Sequence, residues 1–476
     1  MATSVLENVY DPEAFRKLGH ELVDSLADHL SACLAPSEGQ KVMDWQLPED
    51  ELAFWHAFDS KEPTEIFNTV LQRCIHTHHP KYIGHQVSAP APITSLSAML
   101  SALLNNGMAV YEMGKAPSAL ERVITDKLCE KLGYSPDARG FLTSGGTLAN
   151  LTALLTARRE KAPENVWEAG YSQKLGIMVS EEAHYCVDRA ARIMGLGSEG
   201  IIKIPSTVDF VMDTSLLDTY MQKAKAQGIY VFAIVGSAPS TSTGMYDDLE
   251  TIASFAQKHK LWFHVDGAHG GAAIFSPKYK NTLKGIDQAD SVVIDGHKMM
   301  LMPAITTALL YKNGNTSYTT FSQKADYLLL QSQEEDWYNK AKRTFECTKL
   351  MMSLHWYMLW QTEGETLFDD FVTTLYDKGI QFAKTVQQRA SFELAVSPMS
   401  NIVCFRLKLA SGKLEQENAL NLNIRQQLLE DGDFYIVQTK LRGKQYLRVT
   451  LMNPFTTETI LEQLLDRIEE IGRSLV

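Results

Sequence analysis

The sequence predicts an α/β protein: a mostly parallel central sheet in a large domain, a smaller α+β domain towards the C-terminal end, and a helical segment ahead of both. Three observations predict it. Five short, almost wholly apolar runs at 176–180, 201–205, 230–235, 261–266 and 291–295 alternate with helix-length stretches. Runs without polar alternation are covered on both faces, as in a parallel or mixed sheet. Beyond about residue 345 a long helical run gives way to mixed helix and strand, and before about 76 only helical periodicity is readable. The expected division is 1–75, 76–344 and 345–476.

Asp11 is a good N-cap with Pro12 behind it, and Phe15, Leu18, Leu22 and Leu26 follow at helical spacing. A polar stretch over 36–52 then separates this helix from the rest, so the helix fits either a free-standing arm or lid or an ordinary surface helix of the main domain. GIMVS, IIKIP, YVFAIV, LWFHVD and SVVID are the strands, separated by helices such as Leu217–Gln227 and Asp248–Lys260. In such sheets ligands bind beyond the carboxyl ends of the strands, where Asp266 and Asp295 lie. Near the end, MMSLHWYMLW reads as helix and YLRVTLMN as strand. A Thr459-x-x-Glu462 capping box opens the last helix, with Ile460, Leu464, Ile468 and Ile471 on one stripe.

The chain has 476 residues, 45% apolar and 21% charged, which excludes global disorder and fibrous repeats. With 45 basic against 57 acidic residues the net charge is −12, which argues against a broad nucleic-acid or anionic-membrane surface. No apolar run reaches the roughly 18 residues of a membrane span, and MATSVLENVYDPE lacks the features of a secretory signal. Six scattered cysteines without paired spacing read as reduced thiols of a cytoplasmic protein.

Four stretches crowd polar residues among glycines. In FLTSGGTLAN, Ser144, Gly145, Gly146 and Thr147 precede a helix; glycines permit the tight turn and helix-start amides form an anion cradle. A plain Ser/Thr cap accounts for the same pattern. In HVDGAHGG, Asp266 closes an apolar strand and, if buried, needs a cationic or hydrogen-bonding partner; an Asx-turn before Gly267 is the simpler reading. Ala268, Gly270 and Gly271 leave room for something flat. In SVVIDGHKMM, Lys298 follows an apolar strand, where burial points to chemistry with a depressed pKa, although a lone lysine also snorkels. In SEEAHYCVDR, His184 falls between strand and helix, where structural histidines are common. Together these residues meet the needs of pyridoxal 5′-phosphate: a phosphate site, a Schiff-base lysine and a carboxylate for the pyridinium nitrogen.

TSGGTLAN, HVDGAHGG and DGHKMM, in that order and spacing, resemble the group II pyridoxal-phosphate-dependent amino acid decarboxylases, the family of glutamate, aromatic amino acid and diaminobutyrate decarboxylases. The resemblance covers roughly 76–473. HPKYIGHQVSAP (79–90) and YLRVTLMNPFTT (446–457) resemble the family's substrate-entry segment and its arginine-bearing strand. It implies fold type I and α-decarboxylation of an L-amino acid to an amine and CO₂. It also implies a homodimer with active sites at the interface. Lys298 would carry the Schiff base, Asp266 would face the ring nitrogen, and Ala268 and His184 would flank the ring. Gly146, Thr147 and His297 would contact the phosphate, with Ser144, Gly145, Ser240 and Asp295 completing the cofactor site. Arg448 would hold the substrate α-carboxylate, and His85, Gln86 and Ser88 would line the side-chain pocket. A loop around 320–342 would close over the site and carry the proton donor, assigned to Tyr338, with His184 as the other candidate.

The chain departs from the family pattern in three places: Pro239-Ser240-Thr241 stands for Gly-Thr-Thr, Gly296 for the proline of Pro-His-Lys, and Cys347-Thr348-Lys349 for Cys-Gly-Arg. Other outcomes are an aldehyde-forming oxidative decarboxylation on the same fold, or a metallohydrolase built on His264, Asp266 and His269 with His184 and His297 nearby. A non-enzymatic relative would have lost Lys298 or Asp266, and both are present. Cys74-x-His76-x-His78-His79 lacks a second ligand pair, so no metal site is expected. Gly195, Gly197 and Gly200 spell GxGxxG but precede a strand instead of following one. The residues do not name the substrate among aromatic, acidic and diamino classes.

Overall fold

In the computed structural model, which describes residues 5–321, 336–410 and 412–475, all five anticipated strands lie in one seven-stranded sheet. Its members are β1 (Arg139–Thr143), β2 (Lys174–Ser180), β3 (Ile201–Ile204), β4 (Ile229–Ser237), β5 (Trp262–Asp266), β6 (Ser291–Asp295) and β7 (Thr307–Tyr311), in the order β1-β7-β6-β5-β4-β2-β3. Strands β2 to β6 pair in parallel. Only β7 runs against its neighbours, β6 on one side and β1 on the other. The sheet is therefore the mostly parallel one of a fold-type I α/β protein. Asp266 sits opposite Val293, so β5 and β6 are adjacent and in step.

β1 and β7 escape the sequence reading. RGFLT opens on Arg and Gly, and TALLY follows closely on the apolar stretch MMLMPAI with no turn residues between them to mark its start. One face of the sheet is covered by the helix Gly146–Lys161, whose Leu151, Leu154 and Ala157 pack with Val179, Val235, Val293 and Leu309. Burial of that apolar area is the main term holding helix to sheet.

The chain forms two compact units: residues 1–85, 385–393 and 405–476, and residues 86–384 and 394–404. These units do not coincide with the linear boundaries expected after 75 and 344, and backbone pairing gives the reason. In the first unit, Ile83 N donates to Tyr435 O (3.1 Å) and Thr450 N to Ile83 O (2.8 Å), so the N-terminal segment docks on C-terminal strands. In the second, the helical stretch Ser353–Gln388 breaks at Gly364, whose φ of 73° lies in the left-handed region that favours glycine. Its Trp356 donates to Thr306 Oγ1 (2.8 Å), and its Tyr376 hydroxyl meets that of Tyr246 (2.5 Å). The remaining strands, β8 (Phe392–Leu394), β9 (Ile402–Leu407), β10 (Val437–Leu441) and β11 (Lys444–Thr450), form a sheet ordered β10-β11-β9-β8.

The helix Pro12–Leu34 begins as anticipated, with Asp11 Oδ1 accepting from Glu13 N (2.9 Å), but Phe15 and Leu26 of its stripe stay exposed. The last helix, Glu458–Ser474, is capped by Thr457, which accepts from Ile460 N, and not by Thr459. Its stripe is buried at Leu464, Ile468 and Ile471. Among the described residues, no helix is long and apolar enough to cross a membrane.

Candidate active site

The carboxyl ends of β5 and β6 and the start of the helix Gly146–Lys161 enclose a cavity of about 270 Å³. Eleven residues singled out in the sequence line it: Ser144, Gly145, Gly146, Thr147, His184, Asp266, Ala268, His269, Asp295, His297 and Lys298. Segments scattered over 155 residues are thus brought to one place by the sheet, where parallel strands present their ends together.

The cradle is built by backbone. Gly145 has φ 96°, a conformation other residues rarely adopt, and it turns the chain from β1 into the helix. The first donor of the helical ladder is Ala149 N, to Gly145 O (3.1 Å), which leaves the amides before it to an outside acceptor. A Cβ on Gly146 would come within 3.0 Å of Asp295 Oδ2, so side-chain-free backbone is needed where cradle and carboxylate meet.

Lys298 stands one helical turn after Asp295. Its Nζ lies 3.0 Å from Asp295 Oδ2, and Asp295 is fixed from behind by the Thr307 hydroxyl (2.6 Å). Burial works against charge on Lys298, but Asp295 first and Asp266 second more than offset it, so its pKa is held above the ordinary lysine value. This corrects the depressed pKa expected from burial alone. Asp266, at the end of β5, accepts from Ala268 N (3.2 Å): it makes the Asx-type turn and lines the cavity as well.

His184 caps the helix Tyr185–Ile193, its Nδ1 accepting from Cys186 N (3.4 Å), and burial lowers its pKa. The neutral ring can therefore lie over an aromatic surface. His297 Nδ1 faces Thr306 O (3.0 Å), and its carbonyl accepts from Ser88 Oγ (3.2 Å). Gln86 is buried like Ser88, with no hydrogen-bond partner for its Nε2.

Some anticipated residues lie elsewhere. The Ser240 hydroxyl turns to Thr243 Oγ1 (2.8 Å), and the neighbouring Pro239 and Thr241 reach the cavity wall instead. Tyr338 is outside the wall and packs on Tyr111, with ring centroids 5.4 Å apart. Most of the loop expected over 320–342 lies outside the described residues. His85 and Arg448 belong to the other compact unit, where His85 is exposed beside Tyr435 and Arg448 is buried on β11.

The metallohydrolase set does not assemble. His264 bonds through Nδ1 to Ser291 Oγ (2.8 Å) and through Nε2 to Asn150 Oδ1 (2.7 Å), while His269 Nε2 meets Asn401 Oδ1 (2.8 Å). The His264 imidazole is structural, and burial pushes its pKa down to about 4, while His269 lines the cavity with Nε2 held by Asn401.

The sequence reading missed Asn150, Cys186 and Ile305, which also line the cavity, and Glu346. Glu346 Oε1 accepts from Ser144 N (3.1 Å) and the Thr143 hydroxyl (2.8 Å), tying the cradle to a segment 200 residues downstream. Asn150 was findable, one turn into the helix from Gly146. Nothing local marks Glu346.

Amine, opposed carboxylate, helix-start cradle and a wall of small residues fit pyridoxal phosphate atom class by atom class, and define a pyridoxal-phosphate enzyme of the α/β class. Residues 59–408 match the family profile described as the pyridoxal-dependent decarboxylase conserved domain, and the chain belongs to that family. It is 28% identical to the acidic amino acid decarboxylase GADL1 of Xenopus tropicalis over 97% of this chain and 92% of that protein. With the aspartate 1-decarboxylase of Aliivibrio fischeri it shares 29% identity, covering 96% and 91%. The glutamate decarboxylase domain of a Vibrio parahaemolyticus diaminobutyrate-pyruvate transaminase and L-2,4-diaminobutyrate decarboxylase superposes with a TM-score of 0.84, at 27% identity and 97% and 96% coverage. The protein is a pyridoxal-phosphate-dependent amino acid decarboxylase, a carboxy-lyase.

Proposed function

We propose that the substrate is an acidic L-amino acid and that the reaction runs in a cytoplasmic homodimer. The observation that carries the site assignment is Lys298, its side chain only 20% exposed, held between two carboxylates in the cavity that also contains the cradle. When bound, the cofactor supplies an electron sink for the pair left on Cα as CO₂ departs. Lys298 anchors it, and Asp266 holds the proton on the ring nitrogen. Ser144, Gly145, Gly146, Thr147 and His297 receive the phosphate, through amides, hydroxyls and imidazole. Asp295 positions the Lys298 amine. Ala268 lets the ring close on the backbone on one side and His184 covers the other. His184 or Tyr338 then returns a proton to Cα.

Arg448 is assigned the α-carboxylate by its match to the family strand. Acidic substrates are favoured by the setting of His85: partial burial, then the positive charges of Arg448 and Arg425, lower its pKa. An anionic side chain suits these positive charges, and two of the relatives are named for acidic substrates. Gln86 and Ser88 are assigned to the substrate side chain by their place in the family's entry segment. A second subunit is supported by the helix Pro92–Leu104, whose Leu96, Met99, Leu100, Leu103 and Leu104 are 45–64% exposed. Cytoplasmic residence is supported by six free cysteines.

The test is borohydride reduction of the holoenzyme, peptide mapping, and an amine-release screen over aspartate, glutamate, aromatic and diamino acids. Cofactor fixed on Lys298 and amine from an acidic substrate are expected. Aldehyde or keto acid without amine and CO₂ would overturn the reaction, and preference for an aromatic or diamino acid would overturn the substrate class.

A further inference from the structure

Outside the cofactor cavity the described residues hold a second cluster of soft and borderline ligands. His29 and Cys33 are one helical turn apart on the helix Pro12–Leu34, and so project from the same face. The chain returns across that face after the helix Pro63–Arg73 and brings His76 against them. The ring centroids of His29 and His76 are 4.8 Å apart, and one ligand atom each from His29, Cys33 and His76 falls within 4.8 Å of the others. The Cys33 Sγ to His29 Nε2 distance is 3.4 Å. A tetrahedral zinc site with bonds of about 2.0–2.3 Å has ligand-to-ligand edges of roughly 3.3–3.7 Å. That pair is already spaced as one edge.

The cluster is held from both sides. His76 N donates to Val42 O (3.0 Å), and His79 N to His76 O (3.0 Å), so the loop's backbone is fixed. The His78 carbonyl accepts from Asn453 Nδ2 (2.8 Å). Cys33 is fully buried, in a helix that is otherwise largely exposed. Cys74, by contrast, is exposed and outside the cluster, and His79 Nδ1 is engaged by Lys81 N (3.1 Å).

We propose that His29, Cys33 and His76 hold a zinc ion. His76 is met there by a His-x₃-Cys pair whose Cys33 lies 43 residues upstream of it. One thiolate and two neutral imidazoles are a set suited to zinc, with water as the fourth ligand. Binding converts the Cys33 thiol to a thiolate, and its proton passes to solvent. The ion fastens the N-terminal helix to the loop that precedes His85. His184, Cys186 and Asp266 also stand close together, but they belong to the cofactor cavity and are excluded from the site.

The experiment uses the full-length holoenzyme, loaded with excess zinc, dialysed against a weak chelator and assayed for metal by mass spectrometry. One zinc per chain is expected. Cys33→Ser and His76→Gln should weaken retention by more than the roughly 10–100-fold that loss of an outer-shell partner costs; Cys74→Ser and Cys186→Ser should retain it. Cobalt(II) loaded into the wild-type chain gives a reading independent of how any variant folds: intense red-region d–d bands, clear of the cofactor's absorbance, mark a tetrahedral site. Only trace zinc after loading, a weak octahedral cobalt spectrum, or metal lost with Cys186→Ser while surviving Cys33→Ser would each overturn the site.

Discussion

Gly296 stands where the family pattern has proline, and its surroundings predict what any side chain there would do. A Cβ on Gly296 would lie 2.5 Å from Trp356 Cζ2, 2.8 Å from Met302 Sδ and 2.9 Å from Trp356 Cε2. Trp356 is fully buried and pinned by its bond to Thr306 Oγ1. Thr306 in turn accepts from Gly296 N (2.9 Å) and faces His297 Nδ1, so the indole cannot retreat without disturbing the turn that carries Lys298. The backbone of Gly296 is not in the left-handed region, so Gly296→Ala gains about 0.4–1 kcal/mol through the unfolded chain. Against this, overpacking costs about 1–3 kcal/mol, and a strained buried hydrogen bond about 0.5–1.5 kcal/mol more. The net expectation is a loss of about 0.5–4 kcal/mol in urea unfolding of the apoenzyme. Trp356→Phe removes Cζ2 and so the obstacle. The double variant should therefore be more stable than the sum of the single losses by at least about 0.5 kcal/mol. A neutral or stabilised Gly296→Ala, or strict additivity with Trp356→Phe, would refute the reasoning.

Two further outcomes are expected. Glu121 is buried with Lys349 (2.9 Å) and Lys340 (3.3 Å); burial opposes its charge, but the lysines win and its pKa is lowered. Glu121→Gln strands two buried ammonium groups and should cost about 3–5 kcal/mol by denaturant titration. In the other unit, burial would raise the pKa of Glu393, but hydrogen bonds from Lys444, Arg406 and Tyr446 bring it down to about 2. A depressed carboxylate contributes above its unfolded pKa and loses that contribution as pH falls towards the folded value. Melting temperature against pH should therefore show wild type above Glu393→Gln near neutrality, by on the order of 1–2 kcal/mol after solvent screening, with the gap closing towards pH 2.

What was legible in the chain was whatever is local to a strand end. Asp266, Lys298, Gly146 and Thr147 each sit within a few residues of the turn that positions them, and the sheet only has to bring those turns together. The direction of the Lys298 pKa was not legible, because it depends on the helical turn that brings Asp295 back onto it and on Asp266 from the next strand. Glu346 and the pair His29 and Cys33 were hidden for another reason: their partners are about 200 and 43 residues away, and no periodicity records such a meeting. β1 and β7 escaped because RGFLT opens on Arg and Gly and TALLY merges with the apolar stretch before it, and the linear division differs from the two units because it cannot see the first 85 residues return to the last 72.

That return has a consequence for how the chain is made. The first unit is assembled from residues 1–85 and 405–476, with short help from 385–393. Its N-terminal part emerges some 320 residues before the strands it pairs with, and at about 5–20 residues per second that is a wait of roughly 16–64 s. During it, Ile83 and Tyr82, both buried in the finished protein, have no Tyr435 or Thr450 to meet. The second unit, nearly continuous in sequence, can complete its sheet first. Synthesis order thus makes the cofactor-binding unit the early product and leaves the ends of the chain as the last step, the stage at which a slowed ribosome or a truncated chain would expose apolar surface to aggregation.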